Sequence, residues 1–247
     1  MALLRRNRAL ALGLVFTLGL LPPRLAVAAA MGIVAWVHPA VEARQPGMAS
    51  QPVTQGYAVQ VGEEVRTDRG AGAKVIVGPP RTGGRIDLGP ETRVVFEQWL
   101  FDAANDRITE AGWRLQVGYL RAFFTPTPEG RREVWITTPT AKRIRLIGTA
   151  LQVEVAPDGT TIVWVIEGEA RVEPEAGGEA AAVTVPAGTW TVIAPGRVPA
   201  PPTVFDPETA AQSPDAGGPA FPRPVFTEPP ELDVQRLRLD LPKEGPP

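Results

Sequence analysis

The chain has no cysteine and a single histidine. The first absence excludes disulfides, thiolate nucleophiles and cysteine zinc sites, and the second leaves most histidine-based catalysis without its parts. Charge of one sign is missing as well. Lys and Arg number 25 against 27 Asp and Glu, a net charge of -2, so the clustered basic excess that marks nucleic-acid binding is absent. Beyond the first 30 residues no stretch sustains the 3.6-residue apolar period of an amphipathic helix. These gaps point away from nucleic acid, metal and cofactor chemistry.

What is present is glycine, proline and short apolar alternation. The 247 residues include 25 Gly and 28 Pro. Between about Gly32 and Gly196 the glycines punctuate candidate strands rich in β-branched and aromatic residues: "GIVAWV", "YAVQV", "AKVIV", "RIDL", "RVVFEQW", "WRLQV", "YLRAFF", "EVWITT", "ALQVEV", "TTIVWVI", "EARVE", "AAVTV" and "TWTVIA". Single apolar residues alternate with polar ones through Leu151, Gln152, Val153, Glu154 and Val155, the period of a strand with one face on a core. The fold class is therefore all-β, with a sandwich, a barrel and a β-solenoid sharing the same local pattern.

The ends differ from this middle. "MALLRRNR" supplies a basic region, "ALALGLVFTLGLL" an apolar one and "AVAAA" small residues at cleavage spacing, which reads as a signal peptide over residues 1–30 cleaved after Ala28 or Ala30. The rival is a retained anchor, because apolar residues resume in "LAVAAAMGIVAWV". However, Pro22-Pro23-Arg24 divides the two runs and neither alone reaches the roughly 20 residues a spanning helix needs. The protein is expected to be exported, periplasmic or extracellular, and to meet the membrane only through this segment if it is retained. Residues 197–230 are rich in Pro, Ala, Gly and Ser and read as a linker. Residues 231–247 regain alternation at Leu237, Leu239 and Leu241, as a strand that docks on its own chain or on a partner would, plain disorder being the third reading.

A resemblance emerges at "VWITTPTAKRIRLIGTALQVEV": a strand, a Thr-Pro step, a gap, then Gly148-Thr149 before an alternating strand. This resembles the FecR domain family. "GYAVQVGEEVRTDRGAGAKVIV", "GRIDLGPETRVVF", "IEGEARVE" and "VTVPAGTWTVI" are similar, in the same order, to other pieces of its pattern, over about residues 31–196. The resemblance implies a solenoid-like or sandwich module that binds protein, signals or assembles at the cell envelope without a cofactor. FecR-type iron-uptake regulators also carry a sigma-factor-binding segment and a receptor-docking domain, and neither pattern is evident in this sequence.

Three sets of side chains invite a more specific reading. Trp164 and Trp36 lie in continuous apolar runs and read as core, whereas Trp99, Trp113, Trp135 and Trp190 lie beside polar residues or at strand ends, where stacking on a polysaccharide is the alternative function. Asp102, Asp106 and Glu110 cluster in "FDAANDRITE", and opposed carboxylates would serve a glycosidase, but Asn105-Asp106 is more simply a hairpin turn. His38, next to Pro39, takes no role. No catalytic, cofactor or metal residue is assigned, and the expected partner is an envelope protein.

Overall fold

A computed structural model describes residues 30–79, 82–125 and 132–204, the Thr149 side chain excepted. These residues form fifteen strands and one short 3-10 turn at Glu179–Ala181. The first eight strands are β1 (Ala30–His38), β2 (Val41–Arg44), β3 (Gln51–Pro52), β4 (Ala58–Gln60), β5 (Glu64–Thr67), β6 (Gly72–Val77), β7 (Gly84–Leu88) and β8 (Arg93–Asp102). They are followed by β9 (Arg107–Phe124), β10 (Glu133–Thr137), β11 (Ala141–Val155), β12 (Thr161–Pro174), β13 (Val183–Pro186), β14 (Thr189–Ile193) and β15 (Thr203–Val204). The all-β expectation holds.

Three long strands organise the molecule. The second half of β9 pairs with β7 and with the end of β11, and the start of β12 lies between β11 and β14. Continued through β6, β1 and β4 on one side and β15 on the other, this makes a first layer. The first half of β9 pairs with β8 and, in parallel, with β10; β10 pairs with the start of β11, and the end of β12 with β13. With β5, β2 and β3 beyond β8 this makes a second layer. All the ladders but β9–β10 are antiparallel, and they join into one network. This is neither a stack of parallel solenoid coils nor a pair of separate sheets.

The long strands pass between layers by bending at glycine. β11 and β12 shift register between Ile147 and Leu151, where Gly148 (φ 152) and Gly168 (φ 83) face each other. A Cβ on Gly148 would lie 2.6 Å from the Gly168 Cα, and the converse is equally close. Only two residues without side chains let the backbones cross this tightly. Gly118 (φ 94) bends β9 in the same way. The sequence therefore splits strands that are continuous: "WRLQV" and "YLRAFF" are one strand, and "TTIVWVI" and "EARVE" another. Glycine in these places bends a strand rather than ending it.

Between the layers lies one core. Val75, Ile86, Leu120, Val153 and Val163 point into it from the first layer, and Phe96, Leu115, Ile136, Ile144 and Val172 from the second, all buried. Trp113 of the second layer meets Phe124 of the first with ring centroids 5.7 Å apart. Burying each large side chain contributes about 1.5–3 kcal/mol, which is how a chain without disulfides holds two layers together. The Thr-Pro step is pinned by buried hydroxyls: Thr140 Oγ1 donates to Thr161 Oγ1 at 2.7 Å, and Thr161 Oγ1 to Thr138 Oγ1 at 2.8 Å.

Candidate functional site

The face of the first layer that points away from the core is the candidate site. Direct cross-strand pairing aligns Trp36, Lys74, Asp87, Arg121, Gln152, Trp164, Trp190 and Thr203 in one row across eight strands. Residues directly opposite in a ladder share a face, so the row is a continuous stripe with tryptophan towards both ends and charge in the middle. Flanking rows run Ile33, Ile76, Arg85, Phe123 and Ala150 on one side, and Tyr119, Glu154, Ile162 and Val192 on the other.

An outward face is expected to be wet, but the middle of this one is not. Gln152 is 0% exposed, Trp164 2%, Asp87 3% and Tyr119 4%, and none of them belongs to the core between the layers. The Gln152 Oε1 accepts from the Tyr119 hydroxyl and from Arg121 Nη2 at 2.9 Å. Its Nε2 is buried with no partner, as is Oε2 of Glu154. Burial pushes the Glu154 carboxyl above the ordinary range. It also pushes Asp87 up, against the opposing pull of Arg85, Lys74 and Arg121, with Arg85 Nε 2.9 Å from the carboxylate. Burial raises the Tyr119 phenol to about 12, so the hydroxyl stays a donor throughout the physiological range. Arg85 stacks over Phe123 at 4.4 Å. Amphipathic, dehydrated and rich in Trp, Tyr and Arg, this is the composition of a contact surface.

The residues singled out in the sequence scatter around it. Asn105-Asp106 is a turn, as expected: β8 and β9 close a hairpin at Asp102 and Arg107, Asp106 has φ 47, and the Asp102 carboxylate accepts from Asn105 Nδ2 at 2.7 Å. These bonds and Arg107 hold Asp102 below the usual carboxylate range, the reverse of what a general acid requires. Glu110 sits further up the ladder opposite Leu100 and meets Gln98 at 3.4 Å. His38 is exposed at the end of β1. Among the described residues no three His, Cys, Asp or Glu side chains group as metal ligands.

The tryptophans need two corrections. Trp164 is buried as expected, but Trp36 is only half-buried and outward, because a register shift between Val34 and Trp36 reverses the parity of β1. Trp113, expected near the surface, is 0% exposed, because it lies mid-strand beside Ala111 and Leu115 on the inward face of β9. Trp99, Trp135 and Trp190 are half-buried. Trp135 packs against Gly112, whose Cβ would stand 2.5 Å from the indole, and Arg143 stacks on the ring at 4.8 Å. Ala30 opens β1. Ala28, and Leu237, Leu239 and Leu241, lie outside the described residues.

No sequence-family model matches the chain, and no curated protein matches it. Two crystal structures of a candidate anti-sigma factor from Parabacteroides distasonis ATCC 8503 are similar in fold, with a TM-score of 0.44 in each case, at 15% and 14% identity. The alignments cover 60% of this chain and 62% and 63% of those chains, so this chain spans less than two thirds of the proteins it resembles.

Proposed function

We propose that the chain is an exported FecR-like module that binds protein at the cell envelope, in signalling or assembly, through the outward face of its first layer. The observation that carries this reading is the stripe from Trp36 to Thr203, which is buried at Asp87, Gln152 and Trp164 and whose central polar atoms are not fully paired. A surface finished for solvent would not look like this. Three of the ordered FecR-like pieces support it too, because they fall on structural devices: Thr138 and Thr140 on the hydroxyl cluster, Gly148 and Gly168 on the crossing bend, "VTVPAGTWTVI" on the β13–β14 hairpin.

The test is capture of a partner from the native envelope fraction by wild-type protein, by Ile162→Asp and by Arg171→Asp on the opposite layer. Binding should be lost with Ile162→Asp and kept with Arg171→Asp. Equal capture by all three would remove the face from the proposal, and saccharide-array binding that Trp190→Ala abolishes would replace it with the polysaccharide alternative. Export has its own measurement. Met31 is 1% exposed in β1, so cleavage after Ala30 would create a charged amine at a buried residue. N-terminal sequencing of mature protein should therefore find Ala29, and recovery of intact Met1 in the membrane fraction would establish the anchor.

A further inference from the structure

The two unpartnered groups at the centre of the outward stripe ask for different things. Gln152 Nε2 needs an acceptor and Glu154 Oε2, while ionised, needs a donor. Two residues apart on one face of β11, both lie beneath the surface of that face, so a chain laid across it meets the side chains around them. Around them Ile162, Trp190 and Val192 are half-buried and Ile166 is 37% exposed, an apolar margin for a peptide with alternate large side chains.

The described chain ends beside this face. β15 pairs with Thr189 and Trp190 of β14, and residues 205–247 follow. The row from Trp36 to Thr203 is seven strand spacings wide, roughly 34 Å. Residues 231–242, "ELDVQRLRLDLP", would extend to about 40 Å, and the Pro-rich stretch before them reaches well beyond that. Charge is complementary: Lys74, Arg85 and Arg121 outnumber Asp87 and Glu154 on the face, while Glu231, Asp233 and Asp240 outnumber Arg236 and Arg238 in the segment.

Edge pairing is a poorer destination. β3 contains Pro52, β13 ends at Pro186, and β15 follows Pro201-Pro202. At β4 the Gln60 N–H is already held by Glu63 Oε2 at 3.0 Å. Proline and capped amides are the usual means of closing a sheet edge.

We infer that residues 231–242 dock in extended form across the outward face of the first layer of their own chain, with Leu237, Leu239 and Leu241 turned towards it. The segment then occupies the surface that the proposed function assigns to a partner, which must displace it. The inference concerns the occupant of that face and stands or falls without any partner being found.

The lack of cysteine gives a clean test on the full mature chain. In the double variant Ile166→Cys with Leu239→Cys, mild oxidation in dilute solution should form an intramolecular disulfide, seen by mass and by mobility without reductant. It should form at least about tenfold faster than in Arg171→Cys with Leu239→Cys, whose first cysteine lies on the other layer, because docking raises the effective concentration at one face only. Amides of residues 234–241 should also exchange slowly at every protein concentration, and Leu237→Asp with Leu241→Asp should release them while leaving the near-ultraviolet tryptophan signal intact. Equal crosslinking rates would overturn the inference, as would rapid exchange in the wild type. Disulfides formed only between molecules would assign the face to a second copy and overturn it equally.

Discussion

The two outward faces of this molecule are built from the same kind of ladder and finished in opposite ways. On the second layer several charges of opposite sign stand opposite one another, Glu42 against Arg66 and Arg44 against Glu64, and further pairs join Arg114 to Glu97 and Arg143 to Glu133, although Arg145 faces Arg171 with its Nε buried and unpaired. Most of these side chains reach water, and such pairs contribute at most about 1 kcal/mol each. Their value is solubility. On the first layer the centre of the face is dry, aromatic and incompletely hydrogen-bonded. The centre of the first face is shielded from water whereas most of the paired charges of the second are not, and that difference is why the proposed binding is placed on the first layer.

The sharpest way to break that comparison is to truncate one tryptophan on each face. Trp164 is 2% exposed at the middle of the first face, so Trp164→Ala should cost about 3–5 kcal/mol, as deleting a buried aromatic does. Trp135 on the second face is half-buried between Gly112 and Arg143, and Trp135→Ala should cost about 1–2 kcal/mol, chiefly the stacked cation and a modest area of contact. Denaturant midpoints for the two variants measure the difference directly. Equal losses would mean that the first face is no more buried than the second.

A smaller effect belongs to the bend that feeds both faces. Gly148→Val would force a side chain against the Gly168 Cα and the Glu167 carbonyl oxygen at a positive φ, with an expected loss of about 1–3 kcal/mol. The loss should be shared, loosening amide protection in β10 of the second layer and β14 of the first alike. Protection lost from one layer alone would show that the crossing does not couple them.

These positions also show how far the sequence could be read. Strand content was legible because alternation, or a short β-branched apolar run as at the start of β12, marks the long strands, and Gly148 was legible as a structural glycine because it interrupts the alternation of β11. The layer to which each strand belongs was not legible. A strand that bends at Gly118 or Gly168 looks locally like two strands, and a bulge before Trp36 reverses its face without altering composition. The pairs "VEAR" and "EVRT", which became β2 and β5, hold too few apolar residues to stand out. The candidate face was hidden for another reason: Gln152 and Glu154 alternate with valine as solvent-facing residues do, and only their environment in the folded chain dries them.

The smallest effect tests that dryness through pH. Burial raises the Glu154 carboxyl above its ordinary value, so the folded protein binds this proton more tightly than the unfolded chain does. Its stabilising contribution is fully present below the ordinary glutamate range and is lost as pH rises through the raised folded value. Above the ordinary glutamate range the buried carboxyl is therefore a net burden on the fold, with one oxygen buried and unpaired. Glu154→Gln should raise the denaturation midpoint at pH 7, and its advantage should shrink as pH falls towards the ordinary carboxylate range, where wild-type Glu154 is itself neutral. Arg171→Gln on the second face, which leaves every carboxyl in place, should show no such convergence with pH. A Glu154→Gln midpoint that tracked wild type at every pH would mean that the first face is wetted like the second, and the contrast between them would fail at its central residue.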